Sequence, residues 1–181
     1  MRLGRKLSGI GLSMATVALV GGAIGIRGST INSSWKGGTG NWSVSADWTP
    51  PGVPNNSGAN TYNVTIDSGG SDLVSLDINA KIASLVLGGT SGSSTLQNLS
   101  GKAESLEVTG ATTINSTGVL TFGNASTLTF DGGLTAGGQF ALNGATATIT
   151  GSGTWKSGSS ADISGGSTLT VNGTSASRTL S

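Results

Sequence analysis

Leu106-Glu107-Val108-Thr109-Gly110 reads apolar, spacer, apolar, with a glycine shortly after, and that pattern returns down most of the chain. The copies are Val64/Ile66, Leu85/Leu87, Leu106/Val108, Leu128/Phe130, Ala147/Ile149 and Leu169/Val171. Their second members are separated by 21, 21, 22, 19 and 22 residues. A second series, Ile78, Leu99, Leu120, Leu142 and Ile163, keeps steps of 21, 21, 22 and 21, and a looser third runs Val74, Leu96, Ile114, Leu134, Trp155. Three series on one period are what stacked coils with three sides produce, because each coil can bury its inward residues only on the coils above and below. The expected fold is all-β: a right-handed parallel β-helix, a three-sided solenoid of about 21 residues per coil. An antiparallel sandwich also uses short strands between frequent turns, but nothing in it requires this repeat.

Within each copy, alternation turns Leu106 and Val108 inward and Glu107 outward. Gly69, Gly88, Gly110, Gly132, Gly151 and Gly173 follow the strands, where sharp corners, some at positive φ, suit glycine. Six copies at about 4.8 Å per coil make a rod about 29 Å long. The next residue of the second series is due near position 184 and the sequence given stops at Ser181, so residues 64–181 are expected to be incomplete repeats. Their last coil would offer an open edge to end-to-end self-association.

Before the repeats, Arg2, Arg5 and Lys6 precede an uncharged stretch from Leu7 to Ile26 that is rich in Leu, Ile, Val, Ala and Gly. Residues 1–28 therefore read as a secretory signal peptide, with an uncleaved membrane anchor as the alternative. The membrane would be touched only through this segment. The formal charge of +1 belongs to the leader: without Arg2, Arg5, Lys6 and Arg27, five basic residues face eight acidic ones, a balance of −3. No basic patch with interleaved aromatics occurs, so no nucleic-acid partner is expected. With 32 glycines and 9% charged residues, the composition would suit a disordered linker if its apolar residues were scattered; their period argues for a fold.

Residues 29–63 differ from all that follows, holding Trp35, Trp42 and Trp48, all three prolines (Pro50, Pro51, Pro54) and the only tyrosine, Tyr62. The first coil of a solenoid exposes strand edges and an apolar end, and large aromatics with Pro and Gly turns can cover both, so this segment is expected to be an N-terminal Trp-rich cap. The other reading of Trp35, Trp42 and Trp48 is a glycan-stacking platform of flat aromatic faces. The runs Trp35-Lys36-Gly37-Gly38-Thr39-Gly40-Asn41-Trp42, Ala46-Asp47-Trp48 and Gly52-Val53-Pro54-Asn55 resemble the entry segment of large exported bacterial β-helix proteins, and the repeats resemble those of autotransporter passengers and surface adhesins. The resemblance covers nearly all of the chain after the leader. It implies a bacterial protein that is secreted or at the cell surface, in contact with surface glycans, matrix or neighbouring cells.

Chemistry is sparse. The chain has no His and no Cys, so the usual zinc sites and nucleophilic triads cannot be built, and no metal or other cofactor is expected. Glycosidases need two carboxyls about 5–9.5 Å apart. By the 21-residue register, Asp67 and Asp131 fall three coils apart, roughly 14 Å, and Asp77 and Asp162 four coils apart. Asp67-Ser68-Gly69-Gly70-Ser71-Asp72 has the oxygen ligands of a calcium loop but reads better as an ordinary turn. Lys81 and Lys102, one period apart, are expected to stack on adjacent coils. No catalytic residue is assigned. The expected function is a non-enzymatic structural or adhesin-like module. The alternatives are the front part of a carbohydrate-active β-helix enzyme or a tryptophan-based carbohydrate-binding module.

Overall fold

A computed structural model describes residues 28–173; the leader lies outside the described residues. The chain winds as a parallel β-solenoid. The first coil contains β1 (Thr30–Trp35), β2 (Gly38–Asn41) and the short β3 (Trp48–Thr49). The second contains β4 (Thr61–Ile66), β5 (Ser71–Leu76) and β6 (Ala80–Ile82), and the third β7 (Ser84–Leu87), β8 (Ser93–Asn98) and β9 (Ser105–Val108). The fourth contains β10 (Thr112–Ile114), β11 (Gly118–Gly123) and β12 (Thr127–Phe130), and the fifth β13 (Leu134–Ala136), β14 (Gln139–Asn143) and β15 (Thr146–Ile149). The sixth contains β16 (Gly153–Trp155), β17 (Ser160–Ser164) and β18 (Thr168–Val171).

Successive coils pair in parallel to form three sheets. Face A is β1-β4-β7-β10-β13-β16, face B is β2-β5-β8-β11-β14-β17, and face C is β6-β9-β12-β15-β18. Each strand is too short to bury anything alone. Stacked, the alternating residues Leu85, Leu87, Leu96, Leu106, Val108, Leu120, Leu128 and Phe130 lose essentially all exposure in one continuous core.

The register refines the repeat. Ile66 stacks on Leu87, but Leu87 stacks on Ile114, a step of 27 residues, and the column continues through Ala136 to Trp155 on face A. Val108 stacks on Ile82 instead and leads through Phe130 and Ile149 to Val171 on face C. The series read from the sequence thus joins two columns, because Leu87 and Val108 happen to lie one average period apart. The third coil is long for two reasons: an extended corner over residues 88–92 and a loop over residues 99–104. Hydrogen bonds fix the strands to one another, not the number of residues in a corner, so coil length varies while the ladder stays intact.

The three corners behave differently. From face C to face A the inward residues Val108 and Ile114, Phe130 and Ala136, and Ile149 and Trp155 are each six apart. Gly110, Gly132, Gly151 and Gly173 sit here, and their role is not positive φ. A Cβ on Gly132 would come within 2.3–2.6 Å of the Gly110 backbone, and one on Gly151 within 2.6–2.9 Å of Asp131, Gly132 and Gly133. Backbone of neighbouring coils approaches closely at these four positions, where only glycine leaves room for it.

The N-terminal end is closed by the tryptophan segment. β3 turns back antiparallel on the outer edge of β1, pairing Trp35 with Trp48. Trp48 packs edge-on between Trp35 and Trp42, at centroid distances of 5.1 and 4.9 Å. Each indole N–H is satisfied: Trp48 Nε1 donates to Trp42 O, Trp42 Nε1 to Pro54 O and Trp35 Nε1 to Gly38 O. The Val53-Pro54-Asn55 turn then carries Asn55 and Asn56 onto the free edge of β6, where Lys81 N donates to Asn55 Oδ1 and Asn56 N to Lys81 O. The opposite end is open among the described residues: Ile163, Leu169 and Val171 point inward by register yet remain partly or largely exposed.

Candidate binding surface

The outward positions form columns. On face A, Ser34, Thr65, Val86, Thr113, Thr135 and Thr154 lie one above another. Beside them Asn63 Nδ2 donates to Asn32 Oδ1 and Ser84 Oγ to Asn63 Oδ1, an amide and hydroxyl ladder running across the coils. On face C the column is Lys81, Glu107, Thr129, Thr148 and Thr170, with Ser105, Thr127, Thr146 and Thr168 alongside. From the fourth coil down, this face presents Thr-x-Thr on every rung.

The same register relocates the charged residues. Lys81 stacks on Glu107, not on Lys102, and its Nζ lies 2.5 Å from Glu107 Oε1. Lys102 belongs to the 99–104 loop, which Asn98 holds by donating to Leu99 O and Lys102 O. Asp67 follows β4 at the corner between faces A and B, whereas Asp131 follows β12 at the corner between faces C and A, so the two lie at different corners. Asp77 fastens the cap, accepting from Ser43 N and Ser43 Oγ at 2.9 and 2.6 Å, while Asp162 points outward from face B. Asp72 is buried and accepts from Ser68 N, Ser68 Oγ and Ser94 Oγ, so the Asp67–Asp72 stretch closes on itself as a turn. Among the described residues no group of three or more His, Cys, Asp or Glu side chains could hold a metal ion.

Trp35, Trp42 and Trp48 come together, but inside the cap. Trp42 and Trp48 have no exposed surface and Trp35 retains 4%. In this conformation their faces are covered by protein, with none turned outward for a sugar ring. Trp155 is partly buried at the last coil, and its Nε1 has no hydrogen-bond partner.

The one feature that sequence reasoning missed is a groove at the corner between faces A and B. The inward residues flanking this corner are Leu87 and Leu96, Ile114 and Leu120, Ala136 and Phe140, and Trp155 and Ala161, separated by nine, six, four and six positions. The third coil therefore stands proud, the fifth is pulled in, and the sixth rises again. The saddle between them is a shallow, open depression of about 410 Å³, lined by Ser93, Ser116, Thr117, Val119, Gln139 and Ser160 with glycines between. Gly138 keeps the floor low: a Cβ there would lie 2.2 Å from Gly118 O and 2.3 Å from Asn115 O. The signal was present as the dipeptide Gly137-Gly138, but its depth depends on neighbouring corner lengths that only the register reveals.

These elements define a parallel β-solenoid closed at one end, with outward columns that are rich in threonine on two faces and a polar saddle on one corner. No protein-family model matches the chain, and no match is found among curated proteins or solved structures. No helix among the described residues is long and apolar enough to cross a membrane.

Proposed function

We propose that the chain is a non-enzymatic structural module, adhesin-like, carried on the cell surface or secreted, whose repetitive outer faces meet glycan, matrix or neighbouring cells. The observation that carries this is the pair of outward columns. The run of threonines on the last three rungs of each column, Thr113, Thr135 and Thr154 on face A and Thr129, Thr148 and Thr170 on face C, repeats at the coil spacing of about 4.8 Å and offers several weak, equivalent contacts, which is how an extended polymer is held by multivalency. Three of the eight carboxylates support the same reading: Asp72, Asp77 and Glu107 are engaged in holding turns, cap and ladder. The leader composition of residues 1–28 supports export.

The test is incubation of the full chain with a panel of soluble and insoluble polysaccharides, following both reducing-end release and retention on the insoluble ones. Retention without release is the expected result. Release that vanishes when one carboxylate is replaced would overturn the proposal.

A further inference from the structure

The saddle has a chemistry of its own. Its lining contains no charged residue and no aromatic, so it is built neither for an anion nor for stacking. The side chains of Ser93, Ser116, Gln139 and Ser160 make no hydrogen bond to described residues, which leaves hydroxyl and amide groups free to give and accept. Thr117, by contrast, is fixed, accepting from Gly89 N and donating to Gly89 O, and so pins the raised corner of the third coil against the fourth. The groove runs across the corners of four coils, a length of about 14 Å at 4.8 Å per step. It therefore matches a chain lying along the rod's axis rather than a single small molecule.

We propose that this saddle binds an uncharged polyhydroxylated chain: a neutral glycan laid across the corners of the third to sixth coils. The assignment rests on the surface-module reading above and names the ligand class of one of its surfaces. Two features distinguish it from the threonine columns: it is concave, and its volume falls within the range of about 300–1,000 Å³ typical of ligand pockets. Lys156 lies on the same corner, its Cδ 3.5 Å from the position a Cβ on Gly137 would take, and the ligand's charge is therefore a part of the test.

The experiment is affinity electrophoresis of the full chain through native gels containing dextran, mixed-linkage β-glucan or the anionic polymer alginate. The variants are Ser116→Trp, which fills the groove, Gln139→Ala, which removes its amide, and Thr148→Trp on face C as a control. Circular dichroism checks that each variant keeps its sheet. The expected result is retardation by at least one neutral polymer, abolished in Ser116→Trp, weakened about tenfold in Gln139→Ala and unchanged in Thr148→Trp. Retardation lost only in Thr148→Trp would move binding to the columns, overturning the saddle but leaving the surface-module reading standing. Retardation by alginate alone would overturn the neutral class. No retardation in any gel would overturn the saddle, while the polysaccharide release assay judges the non-enzymatic reading separately.

Discussion

Replacing Trp48 by alanine should strip the closed end from the rod. Trp48 is wholly buried, and a tryptophan buries about 200 Å², worth about 5 kcal/mol at roughly 25 cal/mol per Å². Measured Trp→Ala losses in cores run about 3–5 kcal/mol, which agrees. Two edge-on ring contacts, to Trp35 and Trp42, disappear as well, and Trp42 O loses the donor that satisfies it. A loss of about 5 kcal/mol is a large share of a domain's usual 5–15 kcal/mol. In a solenoid each coil contacts only its neighbours, so the damage should be graded along the axis. The assay is urea unfolding followed by circular dichroism, with amide hydrogen exchange resolved by strand. Protection should collapse in β1, β4 and β5 and persist in β12, β14 and β15. Trp48→Phe, expected to cost about half as much, keeps the test informative if the alanine variant does not fold. Trp155→Ala, at the partly exposed last coil, should cost only about 1–2 kcal/mol. Equal losses for Trp48→Ala and Trp155→Ala, or a Trp48→Ala loss below about 1 kcal/mol, would refute the assignment of the tryptophan segment as a load-sharing cap.

Three further outcomes are expected. Gly132→Ala should destabilise by about 3 kcal/mol because its Cβ strikes the Gly110 backbone, whereas Gly101→Ala, at φ 78° with nothing within 4 Å, should cost only about 1 kcal/mol of backbone strain; thermal melts of the two variants make the comparison. Asp72→Ala removes the acceptor for three hydrogen bonds at a buried turn and should cost about 3 kcal/mol in urea unfolding, with Ser94→Ala recovering part of the loss in the double variant. Lys81→Ala should cost less than about 1 kcal/mol, since both partners of its ion pair with Glu107 are more than a third exposed, and the difference from the native chain should shrink as salt is raised.

The architecture was legible in the sequence because inward alternation on short strands repeats, and Leu106/Val108, Leu128/Phe130 and Ala147/Ile149 do stack as their spacing implies. The separateness of residues 29–63 can also be read in the sequence, since no repeat accounts for Trp35, Trp42, Trp48 and Val53-Pro54-Asn55. What the spacing hid was the identity of each column. A count of residues adds strands to corners, and the third coil's long corner and loop let Leu87 and Val108 match in number while lying on different faces. The same ambiguity placed Lys81 with Lys102 when its neighbour is Glu107. The glycines after the strands were correctly placed at corners, yet at Gly110 and Gly132 the cause is proximity of two backbones and not a left-handed turn. The saddle was illegible for a related reason: it is made by differences between adjacent corner lengths, a relation between coils that no single stretch carries.

The glycine edge between faces C and A divides the rod's freedom unequally. At Gly110, Gly132, Gly151 and Gly173 on that seam an added Cβ meets the backbone of the neighbouring coil, so these positions are closed to remodelling. The other two seams have already absorbed an extended corner and a loop without disturbing the ladder, and lengthening a flexible loop costs only about 0.6 kcal/mol per doubling. New recognition surfaces can therefore be written into this scaffold one coil at a time along two of its edges, while the third acts as the spine that keeps the coils in register.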